Sequence, residues 1–160
     1  MKLDDLDVVE KQELQAQSIR ADILNIQKMC QELPDGHRMD ESPPLVHWFA
    51  NGTYAREIHL KADSLVVGKI HRFEHLSIIS KGRVTVYTEY GIETYEAPVS
   101  FVSPAGIKRV VYTHEHEDAI WTTFHANPTG ETDITKLECL LVSTDYKELG
   151  IKVKEMKGIT

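Results

Sequence analysis

The stretch Gly68-Lys69-Ile70-His71-Arg72-Phe73-Glu74-His75-Leu76-Ser77-Ile78-Ile79-Ser80-Lys81-Gly82 decides the reading of this chain. Two histidines and a glutamate fall within five residues, and an apolar β-type run and a glycine turn follow them. The pattern His71-Arg72-Phe73-Glu74-His75 also spells a helical zinc-peptidase signature, in which both imidazoles share one helix face. The flanks argue against a helix. Leu65-Val66-Val67-Gly68 precedes the pattern and Ile78-Ile79-Ser80-Lys81-Gly82-Arg83-Val84-Thr85-Val86-Tyr87 follows it, which is strand and turn chemistry on both sides.

The same texture extends over most of the chain. The runs Leu65–Val67, Leu76–Ile79, Val84–Tyr87, Val99–Val102, Val110–Tyr112 and Ala119–Phe124 are short and rich in β-branched and aromatic residues. Asn51-Gly52, Gly68, Lys81-Gly82, Tyr90-Gly91, Pro98, Pro104-Ala105-Gly106 and Asn127-Pro128 punctuate them. Short strands at this spacing, with no helical period between them, predict an antiparallel sandwich or barrel over 45–143. The run Leu137–Val142 reads as a possible last strand and Asp145–Leu149 as one helical turn, within a tail over 144–160.

Residues 1–34 differ. From Leu3 to Leu33 there is no glycine or proline, and Ile19, Ile23, Ile26, Cys30 and Leu33 step by three or four along one helix face. Pro34-Asp35-Gly36 and Ser42-Pro43-Pro44 end that helix. Its stripe serves either packing on its own domain or oligomerisation.

A length of 160 residues suits one domain with its own core. A net charge of −7 argues against a nucleic-acid or anionic-membrane surface, because both need concentrated Lys and Arg. No apolar run is long enough to span a bilayer, and the amino terminus lacks the order of a secretory signal. Cys30 and Cys139 fit no zinc or redox spacing and read as free thiols, so the expected location is the cytoplasm.

The segment from Gly68 to Gly82 resembles the first motif of the cupin family. Taking Gly82 as the motif's terminal glycine puts His75, seven residues earlier, where the family has Glu, and His71 where it has the second His. Lys69 stands in place of the first His. Gly91, Pro104-Ala105-Gly106 and Arg109–Tyr112 resemble the second motif, with Arg109 where the last His ligand stands. Gly52–Ile58, Gly68–His75, Pro104–Arg109 and Trp121–His125 are further similar to small cupin proteins encoded by bacteriophages and prophages.

The resemblance, covering about Val46 to Asn127, implies a mainly β fold: a single double-stranded β-helix, or jelly roll, with an N-terminal α-helix. It also implies a divalent transition metal, Fe, Mn, Ni or Zn, and a homo-oligomer. The candidate ligands are His71 and His75, completed by His125, Glu57 or Glu74, because such metals need several neutral imidazoles or carboxylates converging on one point. Lys69 and Arg109 are candidates to pair with a carboxylate or phosphate of a small anionic molecule, and Tyr54 and Arg56 to line the same space. In the plainer reading Lys69 is solvated and Arg109 pairs with Glu57 or Glu74. His114-Glu115-His116-Glu117-Asp118 lies between two apolar runs and reads as a solvated loop; His37, His47 and His59 read as ordinary histidines.

Two functions remain open. One is a metal-dependent enzyme or small-ligand binder. The other is a non-catalytic virion or assembly component, acting with other phage proteins, in which the jelly roll and the N-terminal helix build an oligomer.

Overall fold

A computed structural model describes residues 7–33 and 44–155 of the chain. Helix α1 spans Val8–Gln31. Ten strands follow: β1 (Leu45–Ala50), β2 (Gly52–Leu60), β3 (Ser64–Val67), β4 (Ile70–His71), β5 (His75–Lys81), β6 (Arg83–Thr88), β7 (Gly91–Glu96), β8 (Val99–Ser103), β9 (Val110–Thr113) and β10 (Ala119–Asn127). Helix α2 (Ile134–Leu141), a two-residue strand β11 (Val142–Ser143) and a 3₁₀ turn (Tyr146–Leu149) complete the described chain. The helix break at Pro34-Asp35-Gly36, His37 and the end of the tail lie outside the described residues.

The strands form two antiparallel sheets, ordered β1-β2-β10-β5-β8 and β3-β9-β6-β7, with β4 and β11 as a separate pair. Period-two alternation explains how they face each other. In β5, His75, Ser77 and Ile79 are buried while Leu76 is exposed, and in β6 the buried set is Val84, Val86 and Thr88. The inward residues Leu60, Ile79, Ala119 and Trp121 of the larger sheet meet Val84, Val86 and Val111 of the smaller one in a single core cluster. Truncating Ile79 there costs about 2–5 kcal/mol.

The coarse expectation, a mainly β domain with an N-terminal helix, describes the molecule. The closed barrel does not: among the described residues no strand pairing joins the two large sheets. Gly68 and Lys69 interrupt the run from Leu65 to His71, so its first half pairs with β9 and its second half with β11. The expected strand over Leu137–Val142 is also corrected, since Leu137 belongs to α2 and only Val142 and Ser143 are extended. Asp133 caps that helix by accepting from the N–H groups of Thr135 and Lys136, and Leu137 is buried beneath it.

Helix α1 lies against β3 and β6. Its expected stripe is partly buried: Ile23 is fully covered, Ile19, Ile26 and Cys30 are half-buried, and Leu33 is exposed. A buried ion pair fixes it, in which Arg20 donates from Nε to Glu89 at 3.0 Å and from Nη1 to the Lys152 carbonyl at 2.8 Å. Lys154 N–H donates to the carbonyl of Gln17, so the chain after the 3₁₀ turn returns along the helix.

The outer face of the five-stranded sheet carries an apolar row. Trp48 pairs with Ala55, Ala55 with Phe124, Phe124 with Leu76 and Leu76 with Val102. Trp48, Leu76 and Val102 are each more than half exposed.

Candidate metal and ligand site

Three strands bring three imidazoles together. His71 ends β4, His75 begins β5 and His125 lies near the end of β10, beside β5 in the sheet. One nitrogen from each lies within 4.8 Å of the others. The rings stack, with centroids 4.2 Å apart for His71 and His75, 5.0 Å for His75 and His125, and 5.8 Å for His71 and His125.

Backbone and hydroxyl partners orient two of the rings. His75 Nδ1 lies 2.9 Å from the Phe73 carbonyl oxygen and donates to it, which leaves Nε2 with a free lone pair. Among the described residues that Nε2 is buried and has no partner, and the same holds for His71 Nδ1. His125 Nε2 lies 3.0 Å from Thr123 Oγ1, whose own hydroxyl donates to the Arg56 carbonyl. Thr123 Oγ1 thus engages His125 through Nε2 and leaves Nδ1 outside that contact. Tyr54 stacks behind His125 with its hydroxyl 2.6 Å from His47 Nδ1.

Burial keeps all three rings neutral. It drives His71 well below the ordinary histidine range, with the Arg109 charge adding to it. It takes His75 down to about 4 against the opposing bond to Phe73, and His125 to about 4 with help from His75 and Arg56. Three neutral imidazoles that each offer a nitrogen within 4.8 Å of the others are the donor set of a first-row transition metal or zinc site, and the residues present fit such an ion.

The two carboxylates considered as ligands stand elsewhere. Alternation along β2 puts Tyr54, Arg56 and Ile58 on the inner face and Glu57 on the other, where it bonds His59 Nε2 at 2.6 Å. Glu74 is exposed in the turn before β5. Neither pairs with Arg109, so the plainer reading of that arginine is corrected. His114 binds Thr85 Oγ1 at 2.7 Å in a loop whose tip, Glu115 to Glu117, is exposed.

Beside His71 lies a cavity of about 130 Å³, walled by apolar side chains including Ile58, Leu60, Val66 and Trp121, with Arg56, Lys69 and Arg109 as its cations. Lys69 Nζ is 3.2 Å from one carboxylate oxygen of Glu138 and Arg56 Nη2 is 3.4 Å from the other. Glu138, on α2, was not visible as a site residue in the sequence. Arg109 differs from its neighbours: it is 7% exposed, and among the described residues its Nη2 has no hydrogen-bond partner. Its guanidinium lies 5.1 Å from the centre of the Trp121 ring, and burial lowers it to about 10, still protonated at neutral pH. A second cavity, of about 380 Å³, shares Arg109 and Trp121 and is otherwise lined by residues such as Tyr95, Phe101 and Glu93.

No family model and no curated protein matches the chain. Among solved structures it is similar to a cupin protein from Bacteroides fragilis, at 14% identity and a TM-score of 0.45 over 59% of this chain and 85% of that one. It is likewise similar to a conserved protein with a double-stranded β-helix domain from Klebsiella pneumoniae, at 10% identity and a TM-score of 0.47 over 57% and 83%. A protein from Photorhabdus luminescens aligns at 10% identity and a TM-score of 0.49 over 62% and 88%. No residue role crosses with these likenesses. Among the described residues no helix is long and apolar enough to cross a membrane.

Proposed function

We propose that this chain is a cupin-type protein that holds one divalent transition metal ion, Fe, Mn, Ni or Zn, through His71, His75 and His125, and receives a small anionic molecule in the adjoining cavity. The observation that carries the metal is the convergence of three imidazole nitrogens within 4.8 Å, two of the rings keeping a buried nitrogen without a partner among the described residues. Buried polar atoms left unsatisfied cost about 1–3 kcal/mol each, so a fold that keeps them has a use for them. Three protein ligands leave positions open for water or a bound molecule, and an ion there supplies Lewis acidity. A scaffold role without metal, in a virion or elsewhere, leaves this convergence unexplained.

Elemental analysis of protein purified without a histidine tag tests the reading. Near-stoichiometric metal that is lost in a His71→Ala/His75→Ala variant supports it. Folded, metal-free protein that takes up none of the four ions on dialysis rejects it.

Homo-oligomerisation belongs to the same reading. The row from Trp48 to Val102 is an apolar surface of the kind that a second copy covers.

A further inference from the structure

Among the described residues the cavity beside His71 has three cations, and one of them lacks a carboxylate. Glu138 divides its two oxygens between Lys69 and Arg56. Arg109 is more than nine-tenths buried, and its Nη2 has no acceptor among the described residues. A buried guanidinium costs several kcal/mol unless its charge is matched. The face of Trp121 returns only part of that. The geometry points to a monocarboxylate as the ligand of this cavity, bound head-first at Arg109, with Glu138 excluding a second negative charge by keeping Arg56 and Lys69 neutralised.

Carboxylate fits better than phosphate. A phosphate dianion needs several buried donors, and Arg109 presents a single planar fork. The rest of the wall sets the tail. Ile58, Leu60, Val66 and Val111 offer no polar side-chain atom, so the body of the ligand is apolar. An apolar cavity of about 150 Å³ accommodates benzene, so one of about 130 Å³ takes a short aliphatic or single-ring acid. The larger cavity that shares Arg109 and Trp121 is less suited to an anion, because it carries the carboxylate of Glu93. This inference rests on the cavity being a ligand site and is independent of the metal.

Calorimetry with butyrate, butyramide, succinate and inorganic phosphate tests it, on chelator-treated and on metal-loaded full-length protein. Butyrate is expected to bind and its neutral isostere butyramide to fail, in both preparations. Arg109→Met should weaken butyrate by about tenfold or more, the value of a charge-assisted hydrogen bond. Glu138→Gln should improve succinate by a similar factor, and by more than it improves butyrate. Val66→Phe should reduce butyrate binding more than acetate binding.

Several results overturn the inference. They are equal binding of butyramide, phosphate or wild-type succinate, or absence of butyrate binding at millimolar concentration in both preparations. Butyrate binding that requires metal and survives Arg109→Met rejects the arginine while sparing the metal centre. Binding to Arg109 in protein that takes up no metal does the reverse. Should Arg109→Met not fold, the butyrate–butyramide contrast and the Glu138→Gln exchange decide the matter alone.

Discussion

The Nδ1–H of His75 is committed to the carbonyl of Phe73, two residues earlier, so the turn that carries Glu74 sets the ring against the other two imidazoles with Nε2 free of a partner among the described residues. One backbone bond fixes both tautomer and direction. Thr123 does the same for His125 by a side-chain route, since its hydroxyl links that ring to the Arg56 carbonyl.

Thr123→Val keeps the shape of the side chain and removes that link. The variant should retain full metal stoichiometry with affinity lower by about 10- to 100-fold, the usual cost of losing an outer partner of a ligating histidine. Competition against a chromophoric chelator measures it, and an unchanged affinity would show that Thr123 does not orient the ring.

Acid should destabilise the metal-free protein well before the carboxylates titrate. His75 and His125 fall from 6.5 in the unfolded chain to about 4 in the folded one. Between those values the unfolded state binds more protons, so stability is full above about pH 7 and is lost as pH falls through the window from 6.5 to 4. Urea midpoints at pH 7, 6 and 5 report the slope, and a His75→Gln/His125→Gln variant should flatten it.

Gly82 adopts φ +84, and an added Cβ would stand 2.6 Å from the Asp118 carbonyl oxygen and 2.8 Å from Ala119 Cα. The left-handed backbone alone costs an alanine about 1–2 kcal/mol, and main-chain atoms cannot step aside. Gly82→Ala is therefore expected to lower the melting temperature more than Gly91→Ala, whose position also has positive φ but no neighbour within 4 Å.

Glu89→Ala should cost about 1–3 kcal/mol, because it removes the buried partner of Arg20 and leaves Glu13 and the Lys152 carbonyl to hold the guanidinium. Hydrogen exchange ought to rise first along α1. If protection of α1 were unchanged, Ile23 and Ala21 alone would hold the helix.

Leu76 stands mid-row on the outer face, between Phe124 and Val102. If that face joins two copies, Leu76→Asp will lower the mass in sedimentation without lowering stability much, since Leu76 is already 57% exposed.

The strands were legible where alternation was strong. The six apolar runs read from the sequence all fall inside β3, β5, β6, β8, β9 and β10. Strand β7, Gly91-Ile92-Glu93-Thr94-Tyr95-Glu96, was not, because an edge strand with mostly exposed residues carries no burial signal. Helix α2 escaped because Leu137–Val142 is a short apolar run that either period can claim; its capping Asp133 was the deciding residue. His71 and His75 were readable from their distance to Gly82. Glu57 was misassigned although Tyr54, Arg56 and Ile58 already gave the inner parity of β2. Glu138 had no local signature at all, since it meets Lys69 across 69 residues.

The pairing of Val142 with His71 also bears on how the protein is made. During synthesis both large sheets, ending at Asn127, are complete before β11 emerges from the ribosome. Until then β4 has no partner strand among the described residues, and His71 is held by backbone bonds with Gly106 and Ile107. A chain stopped short of Val142 would keep all three histidines and every strand of the two large sheets, while β4 would lose the strand it pairs with.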